Sequence, residues 1–170
     1  MIVYSVVPWD ALSVSSSGCP ILLVNGNLRD DQKQYLETTS FDKITIIGST
    51  ASVPKSMETE LSEYCTNIHR VYGKNRYMTS IEVAKYFYGM DSGEITVTCG
   101  TNFPDGLCSG ALAYIKKAPV ILTDTGREAL VADYVKEYNT CSGYIVGSKS
   151  VVSDETVRSI FNMKESDIIQ

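Results

Sequence analysis

The sequence predicts an α/β protein with a parallel sheet and helices on both faces of that sheet. Seven short runs rich in Val, Ile, Leu and Thr are almost continuously apolar, which is typical of strands buried on both faces. Amphipathic helical patterns lie between these runs, so strand and helix alternate along the chain. The order of elements returns after about a hundred residues, which indicates tandem βα repeats of roughly 95–100 residues.

The strand predictions rest on apolar runs bounded by glycine, proline or polar residues. They cover residues 2–5, 20–25, 43–49, 68–73, 94–100, 119–124 and 143–148. Three helices are predicted from apolar residues at helical spacing, at 29–39, 54–65 and 76–89. Pro54 suits the start of the second helix, because its missing N–H costs little there, and Gly89 suits the end of the third.

Two alignments of the chain on itself define the repeat. A shift of 99 residues brings three pairs into register: 19–25 with 118–124, Gly48 with Gly147, and Ser49 with Ser148. Further upstream the shift becomes 95, which places Asp10 on Asp105. The difference of four residues is about one helical turn. The first copy is therefore expected to have a shortened helix between Leu12 and Cys19.

The repeat divides the chain into three parts. Residues 1–66 correspond to the C-terminal part of one repeat, 67–166 to a second and nearly complete repeat, and 167–170 to the start of a third. The chain opens directly in a strand-like segment that has neither the basic start nor the long apolar stretch of a signal peptide. We therefore expect a piece of a longer protein.

Composition and charge exclude several classes of partner. Hydrophobic residues make up 44% and charged residues 21% of the 170 residues, which is ordinary for a globular protein with a buried core. The net charge of −5 argues against a nucleic-acid partner, because such proteins are usually basic. No membrane span is predicted, since the chain has no run of about 20 apolar residues.

The residue inventory predicts no catalytic residue, metal site or cofactor. The five cysteines are odd in number and have no CxxC spacing, which argues against a zinc site or a disulfide framework. His69 is the only histidine, too few for a zinc amidase, and no GxSxG turn accompanies it. The glycines of a P-loop or a Rossmann nucleotide fingerprint are also missing.

Four motifs, taken in order, carry a family resemblance. They are "RVYGKNRYMTS" (70–80), "GTNFPDGLCSGALA" (100–113), "APVILTD" (118–124) and "YIVGSKSVVSDETV" (144–157). Together they resemble the type 2 cell-wall-binding repeat of clostridial surface-layer proteins and Gram-positive autolysins. The first copy departs from the family pattern, because it has "VVPWDAL" where the family has F-P-D-A-L. The second glycine of the family's last motif is serine in both copies.

The resemblance implies a non-catalytic module with a Rossmann-like core. Family members usually carry three such repeats, which form a unit with threefold pseudo-symmetry and bind anionic secondary wall polymers. The resemblance also implies an extracellular place at the cell wall, with a signal peptide upstream, and further copies of the same repeat as partners.

The candidate ligand-binding residues come from these motifs. They are Arg70, Lys74, Arg76, Tyr77, Asn102, Asp105 and Ser148. Arginine suits phosphate or carboxylate groups of a polymer because of its forked geometry. Structural roles stay open beside this one: Arg76 can pair with Asp105, Asp105 can cap a helix, and Tyr77 can pack in the core. The purpose of the turn at 73–75 also stays open.

The function predicted from these observations is to anchor a larger surface protein to an anionic cell-wall polymer. The alternative is an α/β enzyme or a small-ligand-binding domain that uses a crevice at the carboxyl ends of the strands, where parallel sheets bind ligands.

Overall fold

The structure, a computed structural model, describes residues 1–5, 8–89, 93–140 and 142–163. Strand and helix alternate throughout these residues. The strands are β1 (Ile2–Ser5), β2 (Ile21–Val24), β3 (Ile44–Ile47), β4 (Ile68–Val71), β5 (Glu94–Cys99), β6 (Val120–Thr123) and β7 (Ser142–Val146). The helices are α1 (Pro8–Val14), α2 (Asp30–Thr38), α3 (Lys55–Leu61), α4 (Arg76–Tyr88), α5 (Phe103–Lys116), α6 (Glu128–Glu137) and α7 (Asp154–Phe161).

The strands form two sheets, and every strand pairing in them is parallel. The first sheet has the order β2-β1-β3-β4 and the second has the order β6-β5-β7. Each of the seven predicted strands is present, and the prediction of a parallel α/β fold is confirmed. Strands β2, β1 and β3 follow the same spatial order in the first sheet as β6, β5 and β7 do in the second.

Strand β4 joins the sheet that precedes it. Its residues pair with β3, with Ile44 opposite Ile68 and Ile47 opposite Val71. The strand that opens the sequence repeat therefore completes the first sheet, and the helix that follows it leads to the second. The repeat boundaries stay a prediction, and the predicted strand at 167–170 lies outside the described residues.

Helix α4 is buried against both sheets. On one side Val83 packs in a cluster with Ile47 and Val71 of the first sheet. On the other side Ile81 and Ala84 pack in a cluster that includes β5 and β6 of the second sheet. The two units therefore share one helix, and the first turn of that helix lies at the carboxyl ends of β4 and β5.

The first helix of the first unit is short, as predicted. Helix α1 has 7 residues, whereas its counterpart α5 has 14. The two helices pack closely through two glycines of α5. A Cβ atom at Gly106 would lie 2.4 Å from Leu12 Cδ1, and one at Gly110 would lie 2.2 Å from Ser15 Oγ. Larger residues at these positions would push the two units apart.

Candidate functional site

The turn that opens the repeat brings β4 against the start of α4. A Cβ atom at Gly73 would lie 2.4 Å from Met78 Cβ and 2.6 Å from the Thr79 nitrogen. The Gly73 amide donates to Thr79 Oγ1 at 3.1 Å, and Asn75 caps the helix by accepting from the Met78 amide at 3.0 Å. Glycine and the capping groups thus make this turn a structural joint, which answers the question that the sequence left open at 73–75.

Arg70 lies at the end of β4 and is held by neighbours within the first unit. Its guanidinium donates to Glu58 Oε2 at 2.8 and 3.0 Å and to the Gly48 carbonyl at 2.8 Å, and only 11% of its side chain is exposed. Hydrogen bonds from Lys55 and then Arg70 lower the pKa of Glu58 from its usual value. Arg70 therefore fixes the end of β3 and is turned away from solvent.

Arg76 makes the corresponding contact at the end of β5, where it donates to the Gly100 carbonyl at 2.9 Å. Its guanidinium carbon lies 4.5 Å from the centre of the Trp9 ring, within cation–π range. The charged group near it is Asp10 of α1. Burial raises the pKa of Asp10, and the positive charge of Arg76 partly opposes that rise.

The predicted pairing of Arg76 with Asp105 is not among the ion pairs of the described residues. The physical reason is the position of Arg76 between the two units. It starts the shared helix α4, so it meets α1 of the first unit, which carries the copy-related residue Asp10. The contact joins the two units, whereas the sequence predicted one within a single repeat.

Asp105 lies in the first turn of α5 but does not cap it. The helix begins at Phe103 with Asn102 in the N-cap position, so the predicted cap at Asp105 is wrong by three residues. Pro104 in the first turn accounts for the earlier start, because proline is well tolerated there. Asp105 accepts instead from Asn102 Nδ2 at 2.7 Å and lies beside Gly147 at the end of β7.

Tyr77 anchors a polar cluster at the carboxyl ends of β5 and β6. Its hydroxyl donates to Asp124 Oδ2, and Thr101 Oγ1 donates to Asp124 Oδ1 at 3.2 Å. Burial, followed by the hydrogen bond to Asp124, raises the pKa of Tyr77 to about 12. The ring lies against Gly100, where a Cβ atom would come within 2.4 Å of Tyr77 Cε1. Tyr77 is thus neutral at ordinary pH, and its hydrogen bond and ring contact hold it in place in this cluster.

Arg127 completes the cluster and is exposed. Its guanidinium carbon lies 5.3 Å from the centre of the Tyr77 ring. It forms no ion pair with any residue that the structure describes. Sequence reasoning missed both Arg127 and Asp124. Their position after a buried strand was a usable signal, because loops at the carboxyl ends of parallel strands form binding crevices.

The remaining candidates are solvent-facing. Lys74 is exposed in the turn after β4, at the first unit. Ser148 is exposed after β7, with its Oγ 2.6 Å from Ser150 Oγ. The structure therefore brings Tyr77, Asn102, Asp105 and Ser148 to the strand ends of the second unit, whereas Arg70 and Lys74 lie at those of the first and Arg76 joins the two.

Two further findings bear on the kind of site. Within the described ranges, no group of three or more His, Cys, Asp and Glu side chains is arranged to hold a metal ion. No described helix combines the length and apolar character that a membrane span needs.

A comparison with protein families shows which family the chain belongs to. The model for cell wall binding domain 2 (CWB2) matches residues 70–157, which is more than half of the chain. The chain belongs to the CWB2 family. The match begins at Arg70 and extends into α7, so it takes in all seven candidate residues.

Named relatives of this CWB2 chain include two Bacillus subtilis (strain 168) proteins. N-acetylmuramoyl-L-alanine amidase LytC is 32% identical over 95 residues, which are 55% of the chain and 19% of LytC. The amidase enhancer is 33% identical over 120 residues, which are 70% of the chain and 16% of that protein. The CWB2 chain thus spans less than a fifth of the length of either relative.

A solved structure supports the fold. Cwp8 from Clostridium difficile superimposes with a TM-score of 0.72 and 23% sequence identity, covering 95% of the CWB2 chain and 29% of Cwp8. At this identity the likeness establishes the fold. Membership of the CWB2 family gives the chain a cell-wall-binding role, makes it a binding module, and associates it with the cell wall or cell surface.

Proposed function

We propose that this CWB2 chain anchors a larger secreted protein to an anionic secondary cell-wall polymer of a Gram-positive bacterium. The signal peptide would lie upstream of the sequence, and any peptidoglycan hydrolase activity would belong to another part of the parent protein. The names of the two Bacillus relatives support this proposal, since the chain covers only a small part of an amidase and of an amidase enhancer.

The observation that carries the proposal is the exposed guanidinium of Arg127 at the strand ends of the second unit. It lies over the Tyr77 ring, and Thr125, two residues before it in the same loop, is exposed as well. A forked guanidinium binds phosphate or carboxylate groups well. Because the chain is acidic overall, an anionic polymer needs a local positive group, and the exposed Arg127 provides one.

The predicted site residues divide into two roles in this proposal. Lys74, Asn102 and Ser148 contact the polymer with Arg127, since their polar groups lie at the surface or near it. The others hold the site in place through internal contacts; they are Arg70, Arg76, Tyr77 and Asp105.

A pull-down on purified cell walls tests the proposal. The protein is expected to bind Bacillus subtilis walls that keep their secondary polymer and to lose most binding once mild acid has removed it. Arg127→Ala is expected to weaken binding about tenfold, the loss of one charge-assisted contact. Lys136→Ala is the matched control, because Lys136 is an exposed cation at the far end of the same helix.

Equal binding to treated and untreated walls would contradict polymer anchoring. Binding to neither, together with turnover of a small molecule, would favour the alternative of an enzyme or small-ligand domain that uses the same strand ends.

The second partner in the proposal is a further copy of the same repeat. Leu12 of α1 is 2% exposed and packs against Val120 and Leu122 of the second unit. The copy-related residue Leu107 is 60% exposed on α5, although it occupies the same place in its repeat. It is therefore a candidate to dock on another unit.

The surface of β2, on which another repeat could dock, is also exposed. Ile21 and Leu23 of β2 are 41% and 45% exposed, whereas their counterparts Val120 and Leu122 are buried beneath α1 and α4. The two units thus contact each other through α1 and β6. The corresponding surfaces, β2 of the first unit and α5 of the second, stay exposed. A further repeat that presents an α1-like helix would fit β2, and one that presents a β6-like strand would fit α5.

A further inference from the structure

A groove lies between the edge strand β4 and the helix α4. It has a volume of about 310 Å³, and its walls include His69 from the strand, Tyr72 directly after it, and Glu82, Lys85 and Tyr86 from the helix. The three helical residues are spaced i, i+3 and i+4, so they share one face of α4. In the described sheets nothing pairs with the outer edge of β4. The groove is therefore open along one side.

A second cavity of about 370 Å³ lies next to the groove, and Tyr86 lines both. This cavity also contains Lys43, whose Nζ lies 4.7 Å from the centre of the Tyr86 ring. The His69 ring stacks on Tyr86 at 4.8 Å with an interplanar angle of 7°. Each cavity has the size of a small-molecule site. We call these two neighbouring cavities the cleft; the Tyr86 ring belongs to the lining of both.

Two lysines line this cleft, Lys43 in the second cavity and Lys85 in the groove. Lys43 has no ion-pair partner among the residues that the structure describes. Lys85 pairs with Glu137 at 3.3 Å, but both groups are partly exposed, so the pair is weak and open to exchange. Glu82 is the acidic side chain in the lining, and Arg70 is already neutralised by Glu58. Lys43, and Lys85 by exchange of its partner, can therefore bind acidic groups of a ligand, with Glu82 as the opposing charge.

The aromatic groups narrow the class of ligand. Tyr72 is 54% exposed at the end of β4, where one large ring is available beside the cleft. An exposed tyrosine offers an apolar face and a polar edge, which matches a sugar ring with its C–H face and its hydroxyl rim. A nucleic acid is a poorer fit for a chain with a net charge of −5.

We propose that the cleft between β4 and α4 binds the sugar rings of an acidic glycan. Tyr72 provides the stacking surface, and Lys43 and Lys85 bind the acidic groups. This inference rests on the proposed function and extends it, because it gives the first unit a second contact region, separate from the cluster around Arg127. One polymer strand that touches both regions would be held more tightly than by either alone.

The test is a titration of the ¹⁵N-labelled protein with the polymer released from Bacillus subtilis walls by mild acid. Shifts are expected for the amides around Tyr72, Lys85 and Lys43. Tyr72→Ala and Lys43→Gln are each expected to weaken binding about fivefold. Tyr35→Ala is the matched control, because Tyr35 is 42% exposed on α2 and does not line either cavity.

The outcomes separate the two proposals. If the wild-type protein shows no shifts and no wall binding, the proposed function fails. If it binds but the shifts are confined to the Arg127 cluster, and Tyr72→Ala binds like the wild type, only the cleft proposal is wrong. An amide spectrum that keeps the wild-type dispersion shows that each variant is folded.

Discussion

Arg70 and Arg76 perform the same task at two places in the molecule. Each donates to the carbonyl of a glycine that follows a strand, Gly48 after β3 and Gly100 after β5. A carbonyl at a strand end that loses its partner is costly when it is partly buried. A lysine cannot replace either arginine fully, because it lacks the fork that reaches a carbonyl and a second group together.

Residue patterns predicted where these side chains lie but not all of their partners. The motifs placed Arg76 at a helix start and Asp105 after a strand, and both positions are correct. The sequence could not show which copy of the aspartate Arg76 would face, because that depends on how the units pack. Arg127 was missed because it belongs to none of the four motifs; its position after a strand hinted at a site, but its contact with Tyr77 depends on the fold.

The Gly73→Ala variant tests the turn at the residue scale. The added methyl group would come within 2.5 Å of the Met78 carbonyl carbon, and backbone cannot move aside as a side chain can. We expect the free energy of unfolding to fall by about 2 kcal/mol, as for overpacking in a tight site. Urea unfolding measures it.

Gly93→Ala serves as the control for that substitution. A Cβ atom at Gly93 would meet nothing within 4 Å, so its stability should change little. If Gly73→Ala and Gly93→Ala have equal free energies of unfolding, the predicted clash at Gly73 does not destabilise the fold and the prediction is wrong.

At the scale of elements, α4 connects the two sheets through polar as well as apolar contacts. Ser80 is fully buried on this helix; it donates to the Tyr77 carbonyl and accepts from the Leu122 amide of β6 at 3.0 Å. The hydrogen bond from the Leu122 amide to Ser80 Oγ matters because β6 is an edge strand, and this amide has no neighbouring strand to pair with. Without it, that amide would be buried and unsatisfied.

The elements themselves were largely predictable, because their apolar runs and end signals are local. The two-sided burial of α4 was not. The spacing of Tyr77, Ile81, Ala84 and Tyr88 predicted one apolar face, whereas Val83 packs a second face on the first sheet. A helix shared by two sheets cannot be recognised from one face alone.

The Ser80→Ala variant tests the role of α4. It removes the acceptor of the Leu122 amide, and we expect a loss of about 1–3 kcal/mol in the free energy of unfolding. The Leu122 amide should also exchange its hydrogen with solvent faster in this variant. Ser159→Ala on the exposed face of α7 is the control, and a Leu122 amide that exchanges at the wild-type rate would contradict the assignment.

At the scale of the whole molecule, two apolar surfaces remain open, one on α5 and one on β2. Repeat proteins bury such surfaces against neighbouring repeats, since each unit alone cannot cover its apolar face. The repeat in the sequence predicted that copies would pack together. It could not indicate which side chains stay exposed, because Leu12 and Leu107 are the same residue type at the same repeat position.

The Leu107→Asp variant tests these surfaces. If copies associate through them, the wild-type protein should show mass that rises with concentration in light scattering after size exclusion. Burying a leucine is worth about 1.5–3 kcal/mol, so the variant should associate at least about tenfold more weakly. Tyr72→Asp is the control, because Tyr72 is similarly exposed but lies away from both surfaces. Association that survives Leu107→Asp and Leu23→Asp would place the contact elsewhere.

The position of β4 in the first sheet couples the thermal unfolding of the two units. The strand completes one unit, and the helix attached to it by a tight turn forms part of the core of the next. Neither unit can lose its structure without removing part of the other, so heat should produce one transition with equal calorimetric and van't Hoff enthalpies. Molecules in which one unit is folded and the other is not are therefore expected to be rare.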